Sequence, residues 1–115
     1  MGQLTTHVLD TAQGKPGGGI SVELYALQPE PRLVKQLITN ANGRTDEPLL
    51  DTADFATGEW ELRFHIADYF AAAGVPLTTP PFLDTISIRF AMAADEHYHV
   101  PLLVSPWSYS TYRGS

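Results

Sequence analysis

Apolar residues in this chain recur at every second position over several stretches. Ile20, Val22, Leu24 and Ala26 alternate with Ser21, Glu23, Tyr25 and Leu27. Trp60, Leu62, Phe64 and Ile66 alternate with Glu59, Glu61, Arg63 and His65. Ile86, Ile88, Phe90 and Met92 alternate with Thr85, Ser87, Arg89 and Ala91. Side chains of a strand point to opposite faces in turn, so each stretch predicts a strand with one buried and one wet face. Residues 5–10, 33–39, 98–104 and 107–112 predict further strands, the last two separated by a Ser105-Pro106 corner. Pro101 has no N–H for a ladder, which predicts an edge position or a bulge there. A single helix is predicted over residues 67–73, with Asp68 near its start and Gly74 and Pro76 as its stop. Asn42-Gly43 predicts a tight turn between two strands. Seven or eight short strands with one helix predict an all-β sandwich.

At 115 residues the chain is read as one domain, 1–115, large enough to bury a core. No repeat, low-complexity segment or linker divides it. There is no cysteine, which excludes disulfides, thiolate nucleophiles and sulfur-held metals. The formal charge of −6 argues against nucleic acid or an anionic membrane surface as a partner. No apolar run reaches spanning length. Neither a signal peptide nor a peroxisomal Ser-Lys-Leu address is visible, so a cytoplasmic location is expected.

The Gly14-Lys15-Pro16-Gly17-Gly18-Gly19 run is not a phosphate loop. It lacks the Lys-Ser/Thr pair, Pro16 removes an N–H, and a strand rather than a helix follows. It reads as a flexible turn. The densest chemistry lies at the other end, in residues 97–115. Chain ends usually fray and carry little chemistry, so this one is expected to be built into a site. His97 and His99 share a strand face, and His-x-His with His7 as a third imidazole is a spacing that suits zinc. Asp95 and Glu96 are the nearby acids for a second shell. His7 shares its face with Leu9, while Asp10 points away and cannot orient it. Taken alone, His7 reads as a structural or surface histidine. Arg44 taken alone reads as a solvated turn residue, with Asp46 as a competing partner. Its functional reading is a planar cationic fork for a carbonyl or an anionic heterocycle. His65 reads as solvated. None of the tail serines sits in a Gly-x-Ser-x-Gly elbow. Ser115 differs in carrying a hydroxyl and the main-chain carboxylate together.

Four segments in order add a resemblance to this reading. They are Leu4-Thr5-Thr6-His7-Val8-Leu9-Asp10 with Gly14-Lys15-Pro16, then Gly43-Arg44-Thr45-Asp46. His97-Tyr98-His99-Val100-Pro101-Leu102-Leu103 and the closing Tyr109-Ser110-Thr111-Tyr112-Arg113-Gly114-Ser115 complete the set. Together they resemble 5-hydroxyisourate hydrolase, the transthyretin-like enzyme of urate breakdown, from about residue 4 to the end. The resemblance implies a transthyretin-like β-sandwich with one short helix, assembled as a homotetramer with sites in a channel between subunits. It implies hydrolysis of the ring amide of 5-hydroxyisourate to 2-oxo-4-hydroxy-4-carboxy-5-ureidoimidazoline, without cofactor or metal.

The family's catalytic set falls on His7, Arg44 and His99, and its terminal tetrapeptide on Tyr112, Arg113, Gly114 and Ser115. Ser115 is expected to polarise a histidine or orient the substrate. His99 is expected to take the proton from water. The hormone carrier of the same fold lacks these histidines and continues past the tetrapeptide, so a carrier without turnover is the alternative. The stretch Phe82-Leu83-Asp84-Thr85 follows the family loosely, away from the motifs.

Overall fold

The structure is a computed structural model that describes residues 1–114. Two four-stranded sheets and a two-stranded ladder pack around one apolar core. In chain order the strands are β1 (Gln3–Thr5), β2 (Val8–Asp10), β3 (Lys15–Pro16), β4 (Ser21–Ala26), β5 (Arg32–Ile38) and β6 (Gly58–His65). Helix α1 (Ala67–Ala72) follows, then β7 (Thr85–Met92), β8 (His97–His99), β9 (Leu102–Val104) and β10 (Tyr109–Thr111). One sheet has the order β5-β4-β6-β7, the other β10-β9-β2-β3, and β1 pairs with β8. No helix among the described residues is long and apolar enough to cross a membrane.

The alternating stretches behave as expected except at Glu61, whose carboxylate is buried and accepts from Arg63 and Arg89 instead of facing water. Val22, Leu24, Leu62, Phe64, Ile86 and Met92 are buried and face the opposite sheet, where Val8, Leu102 and Val104 meet them. Period-two patterning fixes this choice, because a slip of one residue would turn the apolar set to water. α1 ends at Ala72 with Ala73 as its C-cap, followed by Gly74, whose φ of +77° suits a glycine.

The fold departs from the expected pattern in four places, each with a local cause. The stretch 5–10 is split, because Thr6 and His7 leave the ladder between β1 and β2. The stretch 98–104 is split at Pro101, which cannot donate. The ladder has a gap there rather than an edge or a bulge: Thr5 pairs with His99 and Val8 with Leu102, so register is kept across it. Thr6 Oγ1 donates to the Val100 carbonyl at 2.6 Å and the Leu102 N–H donates to the His7 carbonyl at 2.9 Å, which stitches the gap. The glycine-rich turn contains a strand of its own, since Lys15 and Pro16 pair with Asp10 and Leu9. With these two splits and β3, seven expected strands become ten.

The fourth departure concerns the Asn42-Gly43 turn, which does not join two strands. Asn40 Oδ1 accepts from the N–H groups of Asn42 and Arg44 at 2.9 and 3.2 Å. Gly43 holds a φ of +74°, and a side chain there would collide with the Val8 carbonyl. The turn instead delivers Arg44 into an isolated bridge with His7, and a second bridge joins Leu4 to Leu50. The loop carrying Arg44 therefore runs along the split between β1 and β2.

Candidate active site

His7 lies in the gap between β1 and β2, and His99 ends β8 just before the gap at Pro101. Parallel pairing of β1 with β8 sets Thr5 opposite His99. His7, two residues on from Thr5, reaches the same side. His7 Nδ1 and His99 Nε2 share a hydrogen bond of 2.7 Å, with the ring planes 19° apart. The other nitrogen of His99, Nδ1, lies 2.7 Å from Thr5 Oγ1. Thr5 Oγ1 also lies 2.8 Å from His97 Nε2. Three imidazoles are thus strung along one hydrogen-bonded chain, with a hydroxyl as the joint.

These groups line a cleft of about 590 Å³. Arg44 lies on its wall, as do Tyr112 and Gly114 from the tail. The competing ion pair for Arg44 is not formed. Asp46 accepts instead from Asn40 Nδ2 at 3.0 Å, and among the described residues no ion pair joins Arg44 to Asp46. The guanidinium is left facing the cleft beside two imidazoles.

That placement sets their charge. Burial lowers the pKa of His7, and the positive charge of Arg44 lowers it further. His99 is lowered to about 4, first by burial, then by His7, Arg44 and His97. Desolvation disfavours a charged ring, and nearby cations add to it. Near neutral pH both imidazoles are therefore uncharged, and each ring has one unprotonated nitrogen able to act as a hydrogen-bond acceptor.

The zinc arrangement does not fit these nitrogens. Those of His7 and His99 that meet are hydrogen-bonded to each other, and those of His99 and His97 nearest each other are shared with Thr5. Their lone pairs do not converge on one point. Among the described residues no group of three His, Cys, Asp or Glu side chains has a metal-holding arrangement. Glu96, one of the two nearby acids, accepts from Arg113 Nη2 at 2.7 Å.

The tail divides in two. The Gly114 N–H donates to the His99 carbonyl at 2.7 Å, closing an isolated bridge that holds the chain end against β8. Tyr112 faces the cleft. Arg113 turns the other way, onto Glu96 and over the Tyr98 ring with its Cζ 4.2 Å from the centroid. Arg113 therefore clamps the tail rather than lining the cleft. Ser115, expected in the site, lies outside the described residues. A Cβ on Gly114 would stand 3.0 Å from His99 Cδ2 and 3.2 Å from its Cβ. Gly114→Ala is expected to push that ring by a few tenths of an ångström and loosen its bond to His7. Turnover should fall roughly tenfold with little change in melting temperature, because positioned groups lose rate quickly when displaced. Parallel kinetics and thermal melts of the variant check this.

Thr5 is the site residue that sequence reading missed. Threonine is common on strand faces and carries no charge, so nothing local marks it. The only signal was its two-residue spacing from His7, which places both on one face. His65, read as solvated, is instead paired: its Nε2 lies 2.7 Å from Glu23 Oε1 on the neighbouring strand, well away from the cleft.

Comparison with known proteins identifies the family. The profile of the HIUase/Transthyretin family matches residues 4–114. The chain is 56% identical over 116 residues to 5-hydroxyisourate hydrolase 2 of Rhizobium meliloti (strain 1021), covering 99% of this chain and 97% of that protein. It superposes on the solved 5-hydroxyisourate hydrolase of Klebsiella pneumoniae with a TM-score of 0.82 at 32% identity, covering 100% of this chain and 94% of the other. It also matches a solved (S)-allantoin synthase with a TM-score of 0.94 at 47% identity. That match covers 99% of this chain but 44% of the longer one. The chain belongs to the HIUase/transthyretin family.

Proposed function

We propose that this protein is a hydrolase that opens the ring amide of 5-hydroxyisourate with water, giving 2-oxo-4-hydroxy-4-carboxy-5-ureidoimidazoline. The observation that carries the reading is the uncharged His7–His99 pair beside Arg44 in one cleft. Close relatives bearing the name 5-hydroxyisourate hydrolase support the choice of substrate.

Amide hydrolysis needs a base for water, a partner for the oxyanion and an acid for the leaving nitrogen. His99 was the expected base, but both of its ring nitrogens are engaged, one by His7 and one by Thr5. The geometry favours the reverse division of labour. His7 takes a proton from water through Nε2, while His99 orients and polarises that ring by accepting from His7 Nδ1–H at its own Nε2. The water oxygen bonds to the ring carbonyl carbon, and Arg44 stabilises the oxyanion that forms. As the carbon–nitrogen bond breaks, its electron pair goes to nitrogen, which takes the proton held by His7. Tyr112 and Gly114 shape the wall against the planar ring. Arg113 contributes by anchoring the tail, and Ser115 is assigned the role of orienting substrate or a histidine. No cofactor takes part in this scheme.

The reading includes a homotetramer and a cytoplasmic location. Trp107, Tyr109 and Phe82 are large, exposed apolar groups on the single chain, and Phe82 and Trp107 lie with ring centroids 6.0 Å apart. Large exposed apolar patches mark contact surfaces. A chain without cysteine needs no oxidising compartment. The carrier reading is not favoured by the cleft, since neutral imidazoles beside a cation serve proton transfer rather than reversible storage.

The direct test follows the ultraviolet absorbance of freshly generated 5-hydroxyisourate. Purified protein at catalytic concentration is expected to speed its decay well above the spontaneous rate, and to keep doing so after treatment with a strong chelator. Decay at the spontaneous rate would refute the reading.

A further inference from the structure

Proton counting along the histidine chain leads beyond the hydrolase reading. With all three imidazoles counted in the neutral form, each carries one N–H and Thr5 one O–H, so four protons serve three hydrogen bonds. The fourth proton must sit at an end of the chain. Only two neutral arrangements then satisfy every bond. In the first, His7 Nε2 is bare, His7 Nδ1–H donates to His99, His99 Nδ1–H donates to Thr5, the Thr5 hydroxyl donates to His97 Nε2, and His97 Nδ1 keeps its proton. In the second, every donor and acceptor is reversed and His97 Nδ1 is bare. Among the described residues Thr5 is the one link between the two halves, and it lies across the paired strands from His99.

We infer that the Thr5 hydroxyl is a positioning residue that sets the His99 tautomer and couples the His7–His99 pair to His97, so that charge arriving at His7 is carried out to His97. This inference rests on the hydrolase reading for its proton source. When His7 Nε2 takes a proton from water, its Nδ1 proton moves to His99 Nε2. The His99 Nδ1 proton then passes to Thr5 Oγ1, and the hydroxyl proton passes to His97 Nε2. His97 ends with a proton on each nitrogen, and every other group is neutral again. Return of the same protons in reverse order restores N–H at His7 for the leaving nitrogen. The destination makes physical sense. A cation held on the His7–His99 pair would sit partly buried beside Arg44, whereas His97 is exposed at the rim of the cleft. The charged and titratable groups around the relay are Arg44, Asp46, Glu47 and Tyr112 on the cleft wall, with Glu96 next to His97 and Arg113 donating to the His97 carbonyl.

The test compares wild type with Thr5→Val, which keeps shape and removes the hydroxyl, and Thr5→Ser, which keeps the hydroxyl and removes a methyl group. His97→Gln and the Thr5→Val/His97→Gln double variant complete the set. Turnover of 5-hydroxyisourate in Thr5→Val is expected to fall roughly tenfold, the worth of one hydrogen bond to a group that carries charge during the reaction. KM should stay within about twofold, the acid limb of the pH profile should shift, and Thr5→Ser should be near wild type. His97→Gln should lose a similar factor, and the double variant should be no worse than either single one. Wild-type turnover and pH profile in Thr5→Val, equal losses in Thr5→Val and Thr5→Ser, or fully additive losses in the double variant would each overturn the relay. Imidazole nitrogen chemical shifts provide a readout free of substrate. His97 and His99 are expected to titrate together in wild type and independently in Thr5→Val, and independent titration in wild type would overturn the relay whether or not 5-hydroxyisourate is the substrate. A wild-type protein that fails to hydrolyse 5-hydroxyisourate yet shows coupled titration refutes the hydrolase reading and supports the coupling itself.

Discussion

Alanine at His7 or at His99 is expected to lower kcat by roughly a hundredfold or more, the usual worth of a positioned acid–base group. The two losses should not add. His7 Nδ1 and His99 Nε2 are 2.7 Å apart and act as one unit, so removing either ring leaves the other without its function. The double variant should therefore be only slightly slower than the worse single one. KM should change much less than kcat, because proton transfer acts on the transition state rather than on ground-state binding. Neither ring belongs to the apolar core, so melting temperatures should move by only a few degrees. Steady-state kinetics on the three variants, with circular dichroism melts in parallel, check each statement. Near-wild-type turnover in both single variants would remove the pair from the mechanism.

Arg44→Met carries the second large effect and alters two observables at once. Loss of the guanidinium removes the partner of the developing oxyanion, and kcat should fall on the order of a hundredfold to a thousandfold. It also removes a positive charge that lowers the pKa of both His7 and His99. The sign follows directly. A cation nearby disfavours protonation, so taking it away raises both pKa values towards the ordinary 6.5. The base is active only when bare, so the acid limb of kcat/KM should move to higher pH. The fractional loss at pH 5 should then exceed that at pH 8. Because the two rings are coupled, the limb reports the pair rather than either residue. Arg44→Lys separates the two contributions: it keeps the charge, and so the position of the limb, but lacks the planar fork and should recover only part of the rate. An acid limb unmoved in Arg44→Met would show that the charge does not reach the pair.

The strands over 20–26, 60–66 and 86–92 were legible because alternation is a local property and burial enforces it. Strand β4 shows the pattern most plainly, with every second residue from Val22 to Ala26 buried. Strand β5 was less legible, since Leu33 and Ile38 are exposed at the edge of its sheet. Edge position depends on what lies on the far side, which no window of sequence contains. The pairing of His65 with Glu23 was hidden for the same reason: the two meet only through the register of β4 against β6. The gap at Pro101 could be foreseen as a lost donor. That it would keep register, and be stitched by Thr6 from the matching gap between β1 and β2, could not.

The residue types of the site were visible in the sequence. Two histidines spaced by two, a third near the start, an arginine after a glycine turn and a dense tail all carry their chemistry by identity alone. Their division of labour was not. His7 and His99 stand 92 positions apart, and only the parallel pairing of β1 with β8 brings their nitrogens within hydrogen-bonding distance. Thr5 gained a part in the site only from that same contact.

By itself, then, the sequence determined which side chains would be wet or dry along β4 and β7, roughly where the helix stops, and which titratable groups were at hand, because these follow from covalent identity and near-neighbour geometry. The tertiary structure decided that both His99 nitrogens are hydrogen-bonded to His7 and Thr5, that Arg44 faces two imidazoles rather than Asp46, and that Arg113 holds the tail while Gly114 touches His99. Hydrogen-bond partners and desolvation depend on atoms brought together across the fold, and distance along the chain carries no record of them.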